Sequence, residues 1–91
     1  MNEPICFHGW VSGRVQGVYF RRFTADAAEA EGVEGWARNL SDGRVEFMLC
    51  GQRAAVARVL DQLRQGPPSA RVDTLEYREQ SWCEQDGFSI R

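Results

Sequence analysis

The chain has 91 residues, 43% of them hydrophobic, and a net charge of -2, enough for one core and too little for two. Its eleven basic residues are all arginine, which excludes mechanisms built on a lysine Schiff base or a lysine general base, and their dispersal along the chain argues against nucleic-acid binding. No apolar run is long enough to span a membrane, and the start, Met-Asn-Glu-Pro, lacks the regions of a signal peptide, so the expectation is one soluble cytoplasmic domain over residues 1–91 with no membrane partner.

In chain order, Ile5 to Ser12 alternate, with Ile5, Phe7, Gly9 and Val11 on one face and Cys6, His8, Trp10 and Ser12 on the other. That is the pattern of a strand with one face in a core. Gly13 to Arg22 reads as a glycine-punctuated loop entering a helix. From about Arg22 to Glu31, Phe23, Ala27 and Ala30 fall at helical spacing and Gly32 marks the end. Gly35 to Leu40 reads as a second strand, and Asp42-Gly43 after it as a tight hairpin with positive φ at both turn residues. Val45, Phe47 and Leu49 then alternate with Glu46, Met48 and Cys50 in a third strand, which Gly51 breaks. Val56, Val59, Leu60 and Leu63 occupy the i, i+3, i+4, i+7 positions of an amphipathic helix, and Gly66-Pro67-Pro68 stops it. Ala70 to Glu79 is a fourth strand, whose three-residue step from Val72 to Leu75 predicts a bulge or twist. After a polar stretch, Phe88 and Ile90 alternate with Ser89 and Arg91 in a short strand that pins the chain end to the sheet.

This order is the βαββαβ pattern of the α+β ferredoxin-like sandwich, an antiparallel sheet with two helices on one face, here with a short extra C-terminal strand. The first and third strands are central and antiparallel to each other. The other face is open or partly covered, which accounts for Trp10, Glu46 and Met48 at alternate positions. Cys6 and Cys50 then lie side by side on the helix-free face, where a disulfide is geometrically open to them, although a reducing cytoplasm argues against one. Cys83 stays free. The cysteines are too widely spaced for a zinc framework, and the one histidine, His8, has no nucleophile or carboxylate near it in sequence. Neither a metal site nor a catalytic histidine is read there.

The chemistry is placed at Gly13 to Arg22. A helix start leaves its first N–H groups unpaired, and Gly13 and Gly17 let the preceding loop curl so that more of them converge. The amides of Gln16, Gly17, Val18, Tyr19 and Phe20 thus form a pocket for an anion, and Arg21 and Arg22 stand where a guanidinium closes over a phosphate. A nucleotide loop is excluded, because there is no lysine to follow the glycines and the glycine spacing does not make G-x-G-x-x-G. On its own Asn39 reads as a turn former before the hairpin, and Trp10 and Trp36 as sheet-face packing.

Four stretches together resemble the acylphosphatase family over nearly the whole chain: Gly13-Arg14-Val15-Gln16-Gly17-Val18-Tyr19-Phe20-Arg21, Gly35-Trp36-Ala37-Arg38-Asn39, Asp42-Gly43-Arg44-Val45-Glu46 and Phe88-Ser89-Ile90-Arg91. Tyr19 falls at a position the family varies, and Ala37 replaces the more usual valine. The resemblance implies hydrolysis of carboxyl-phosphate mixed anhydrides to a carboxylate and inorganic phosphate, without metal or cofactor. The family's catalytic arginine falls on Arg21 and its catalytic asparagine on Asn39, with phosphate held by residues Gln16 to Arg21; Arg22 and Arg38 fall at positions the family does not hold fixed. A small acyl phosphate as substrate, inorganic phosphate as product and inhibitor, and a monomer are expected. The chemistry agrees: the carboxylate leaves without help from a strong acid, so fixed N–H groups, the Arg21 guanidinium and a water held by Asn39 suffice.

Two other functions share this topology. A ferredoxin-like module binding RNA or a small ligand would use exposed sheet aromatics, against which stand the acidic net charge and a third strand reading Arg44-Val45-Glu46-Phe47-Met48-Leu49. A domain handling carbamoyl phosphate inside a larger maturation protein is the other, against which stands the expectation of a single domain over residues 1–91. Phosphate release from an aryl acyl phosphate in the presence of a chelator separates these classes.

Overall fold

A computed structural model describes residues 3–91 of the chain. The alternating first segment forms β1 (Pro4–Arg14), followed by α1 (Phe20–Ala30), β2 (Glu34–Asn39), β3 (Val45–Gln52), α2 (Arg53–Gln65), β4 (Arg71–Gln80) and β5 (Phe88–Ile90). The strands lie in the order β4-β1-β3-β2-β5, with β1 and β3 central and antiparallel as the crossover rule requires. Every neighbouring pair is antiparallel except β2 and β5, which run parallel. This is the expected α+β ferredoxin-like sandwich.

Period-two alternation decides what meets the helices. Val11, Val45, Phe47 and Leu49 are fully buried and share one core with Val56, Val59 and Leu63 of α2 and Ala28 of α1. Each large side chain buried in this way contributes about 1.5–3 kcal/mol relative to exposure. The alanine face of α1 lets that helix lie close to the sheet. No helix among the described residues is long and apolar enough to cross a membrane.

Four local expectations are revised. α1 begins at Phe20, not near Arg22, so Arg21 and Arg22 both sit in its first turn. β3 does not stop at Gly51: β1 keeps pairing with it through Ile5 with Gly51 and Pro4 with Gln52, and α2 starts at the next residue. The β2–β3 connection spans Leu40 to Arg44, closed by the Leu40 N–H donating to the Arg44 carbonyl at 2.8 Å. Only Gly43 there takes positive φ, at 97°, because Asp42 serves instead through its carboxylate, which accepts the Arg44 N–H. Gly13, finally, lies within β1 and not in the loop. A Cβ there would come within 2.2 Å of the Arg71 carbonyl oxygen, so the glycine serves the close approach of β4. That approach coincides with the bulge expected on β4: Ser12 pairs with Thr74 and Gly13 with Val72, leaving Asp73 as the extra residue.

Candidate active site

The loop from Val15 to Tyr19 joins β1 to α1 on the helix-bearing side of the sheet. Gly17 and Tyr19 both adopt left-handed backbone angles, φ 74° and 63°, with Val18 between them outside that region. Such alternation turns successive N–H groups toward one point and makes a concavity for an anion. Among the described residues, the backbone N–H groups from Gln16 to Phe20 donate to no carbonyl. Tyr19 caps α1 without a side-chain hydrogen bond, and the first turn holds no acidic residue. The positive end of the helix is therefore left uncompensated by the protein.

Asn39 arrives from the other side. It shares the helix-facing side of β2 with Gly35 and Ala37, and Ala37 is fully buried in the core. A cleft of about 430 Å³ is lined by Gly17, Tyr19, Phe20, Arg21, Arg22 and Asn39, with Val15 and Ile90 completing its walls. Arg21 and Asn39 thus share one cavity with the loop. Among the described residues the Asn39 amide makes no hydrogen bond to its own hairpin; that duty falls to Gln16, whose Nε2 donates to the carbonyls of Leu40 at 2.7 Å and Arg44 at 2.9 Å. The Gln16 side chain therefore bolts the loop to the turn that follows Asn39. Val18 places its side chain in the core.

The two arginines differ. Arg21 Nη1 donates to the backbone oxygen of Arg91 at 2.8 Å, which leaves Nε and Nη2 available as donors. Arg22 is exposed and pairs with Asp26 one turn on, at 3.3 Å. The anchoring of Arg21 by residue 91 and the presence of Ile90 in the cleft were not legible beforehand, since nothing local placed β5 beside β2. Gln16 carried a faint signal: a long amide among small and apolar neighbours has to find partners.

The opposite face holds a polar cluster. Glu46, buried, accepts from His8 Nε2 at 2.6 Å and from Arg38 Nε. Burial works against its charge, but the hydrogen bonds from His8 and Arg38 outweigh that and hold its carboxyl below the ordinary value. The carboxylate partner that His8 lacks in sequence is supplied across the sheet. Trp10 lies under the guanidinium groups of Arg44 and Arg78, and Trp36 under those of Arg38 and Arg91. Base stacking on an open sheet would need those faces. Cys6 and Cys50 are directly paired in the β1–β3 register, Cα atoms 4.1 Å apart and sulfurs at bonding distance, 2.09 Å. Cys83 is free and exposed, and its N–H donates to Cys6 Sγ at 3.3 Å.

The family model described as Acylphosphatase matches residues 7–90. A curated acylphosphatase of Gloeobacter violaceus is 59% identical over 75 residues, covering 82% of this chain and 81% of the relative. One from Natronomonas pharaonis is 44% identical over 91 residues, covering 100% and 99%. The solved structure of an acylphosphatase from Coxiella burnetii superposes with a TM-score of 0.93 at 38% identity, covering 97% of this chain and 93% of that one.

Proposed function

The chain belongs to the acylphosphatase family of hydrolases, and on that premise we propose that it cleaves acyl phosphates with Arg21 and the Gln16 to Phe20 amides on the phosphoryl group and Asn39 on the attacking water. What carries this reading is the convergence in one cleft of Arg21, Asn39 and a run of backbone N–H groups that no carbonyl satisfies. An anion of two or more charges suits that convergence, because the N–H groups, the positive end of α1 and the Arg21 guanidinium all favour negative charge.

Transfer of the phosphoryl group to water spreads negative charge over three equatorial oxygens, with attacking and leaving oxygens in line. Donors already fixed in place need no reorganisation as that charge develops, and this is the larger part of the acceleration. Asn39 offers a carbonyl to accept from the water and an amide to donate, and neither needs to change protonation state. The leaving carboxylate is a weak base and departs unprotonated. Water attacks phosphorus, the P–O bond to the acyl oxygen breaks, and the products are a carboxylate, inorganic phosphate and a proton released to solvent. Inorganic phosphate occupies the same donors and inhibits.

The test is release of inorganic phosphate from benzoyl phosphate with a chelator present, by the wild type and by Arg21→Ala and Asn39→Ala. Activity in the wild type with large losses in both variants is expected. Full activity in either variant removes that residue from the reaction.

A further inference from the structure

Tyr19 is held at φ 63° and ψ 26°, a conformation strained for a side chain and free for glycine. Its ring nevertheless adds nothing to the core, since it is 83% exposed. Ile90, 40% exposed on the short strand at the sheet edge, lines the same cleft. Clefts of roughly 300–1,000 Å³ accommodate drug-sized ligands, and this one, at about 430 Å³, is larger than a phosphate and one water require. Of the charged and polar residues lining it, Arg22 is engaged by Asp26. Beyond those groups, the lining offers the rest of a substrate an exposed aromatic ring and a branched aliphatic chain.

We propose that Tyr19 and Ile90 form a subsite for the acyl group, selecting acyl phosphates whose acyl part is apolar and planar, such as an aroyl group, over those with a small acyl group. This rests on the assignment of the phosphoryl group to the loop and Arg21. Offset stacking of an aroyl group on the Tyr19 ring, with Ile90 as a second apolar contact, strengthens binding without touching the reacting atoms.

The experiment compares kcat/KM for benzoyl phosphate and acetyl phosphate in the wild type, Tyr19→Asn, Tyr19→Phe and Ile90→Ser. Asparagine tolerates the left-handed backbone while removing the ring, and each ratio is taken against the wild type, so the differing reactivity of the two anhydrides cancels. The benzoyl-to-acetyl ratio is expected to fall about tenfold in Tyr19→Asn, mainly through KM, to fall less in Ile90→Ser, and to persist in Tyr19→Phe. Equal loss on both substrates in Tyr19→Asn and Ile90→Ser overturns the subsite while the phosphate site stands. A ratio lost in Tyr19→Phe as fully as in Tyr19→Asn also overturns it, because the hydroxyl and not the apolar ring would then be the contact. A wild type that releases phosphate from neither substrate removes the phosphate site, and the subsite with it.

Discussion

Arg21, in the first turn of α1, is held by the backbone oxygen of Arg91, 70 residues away, through Nη1 at 2.8 Å. One corner of the guanidinium is thus spent on orientation, and Nε and Nη2 remain as two parallel donors on the other edge of a side chain that lines the cleft. An ammonium group has no such division of labour. Arg21→Lys is therefore expected to lose nearly as much kcat/KM as Arg21→Ala, about a factor of 10³ or more, with phosphate inhibition weakened in both. Arg22→Ala, which breaks only an exposed pair with Asp26, should change either quantity by less than about threefold. Comparable losses at positions 21 and 22 would sink the distinction.

Asn39 is expected to act mainly in the transition state. Asn39→Ala should lower kcat by a factor on the order of 10² with the inhibition constant of inorganic phosphate nearly unchanged. Asn39→Asp should not recover the rate, because a carboxylate repels the substrate and lacks the amide donor. Steady-state kinetics with phosphate as competitive inhibitor separate the two parameters, and a raised inhibition constant with unchanged kcat would make Asn39 a phosphate ligand instead.

Glu46 governs an acid-sensitive part of the stability. Its folded carboxyl titrates below the ordinary 4.5 because of His8 and Arg38, so the stabilisation is fully present above the unfolded value and is lost as pH falls through the folded one. Glu46→Gln should cost on the order of 1–2 kcal/mol at neutral pH, and the gap to the wild type should narrow on acidification below about pH 4.5. Urea midpoints at a series of pH values test this; a gap constant down to pH 2 would show that the charge of Glu46 is not what matters.

Cys6 and Cys50 are separated by 44 residues in sequence, and closing a loop of that size removes about 4 kcal/mol worth of freedom from the unfolded chain. In denaturant without reductant, only Cys83 should react with a thiol reagent. Reduction should lower the urea midpoint, and Cys6→Ala with Cys50→Ala should reproduce that loss and become insensitive to reductant. Three reactive thiols in the unreduced chain would disprove the bridge.

The helix-facing alternation of β1 and β3, the amphipathic spacing of α2 and the stop at Gly66 were legible because each is written in neighbouring residues. Period two or period 3.6 states which side of an element is apolar whatever it later packs against. The bulge on β4 was legible for the same reason, as a broken alternation between Val72 and Leu75. At Gly13 the local signal misled: the residue type was read as loop flexibility, whereas β4 passing within contact distance is what admits no side chain there.

Sequence by itself determined the elements, their apolar faces, the strand order's central pair and, through motif resemblance, the loop and the two residues placed in the cleft. Only the tertiary structure decided that Arg21 is oriented by Arg91, that Gln16 ties the loop to the β2–β3 turn, that His8 finds Glu46, and that Ile90 lines the same cleft as Tyr19. The hydrogen bonds among these join residues 24 to 70 positions apart, and they depend on register and on β5 docking parallel to β2. Local periodicity sets which face a side chain takes; which partner stands opposite is chosen only when the whole sheet closes over its core.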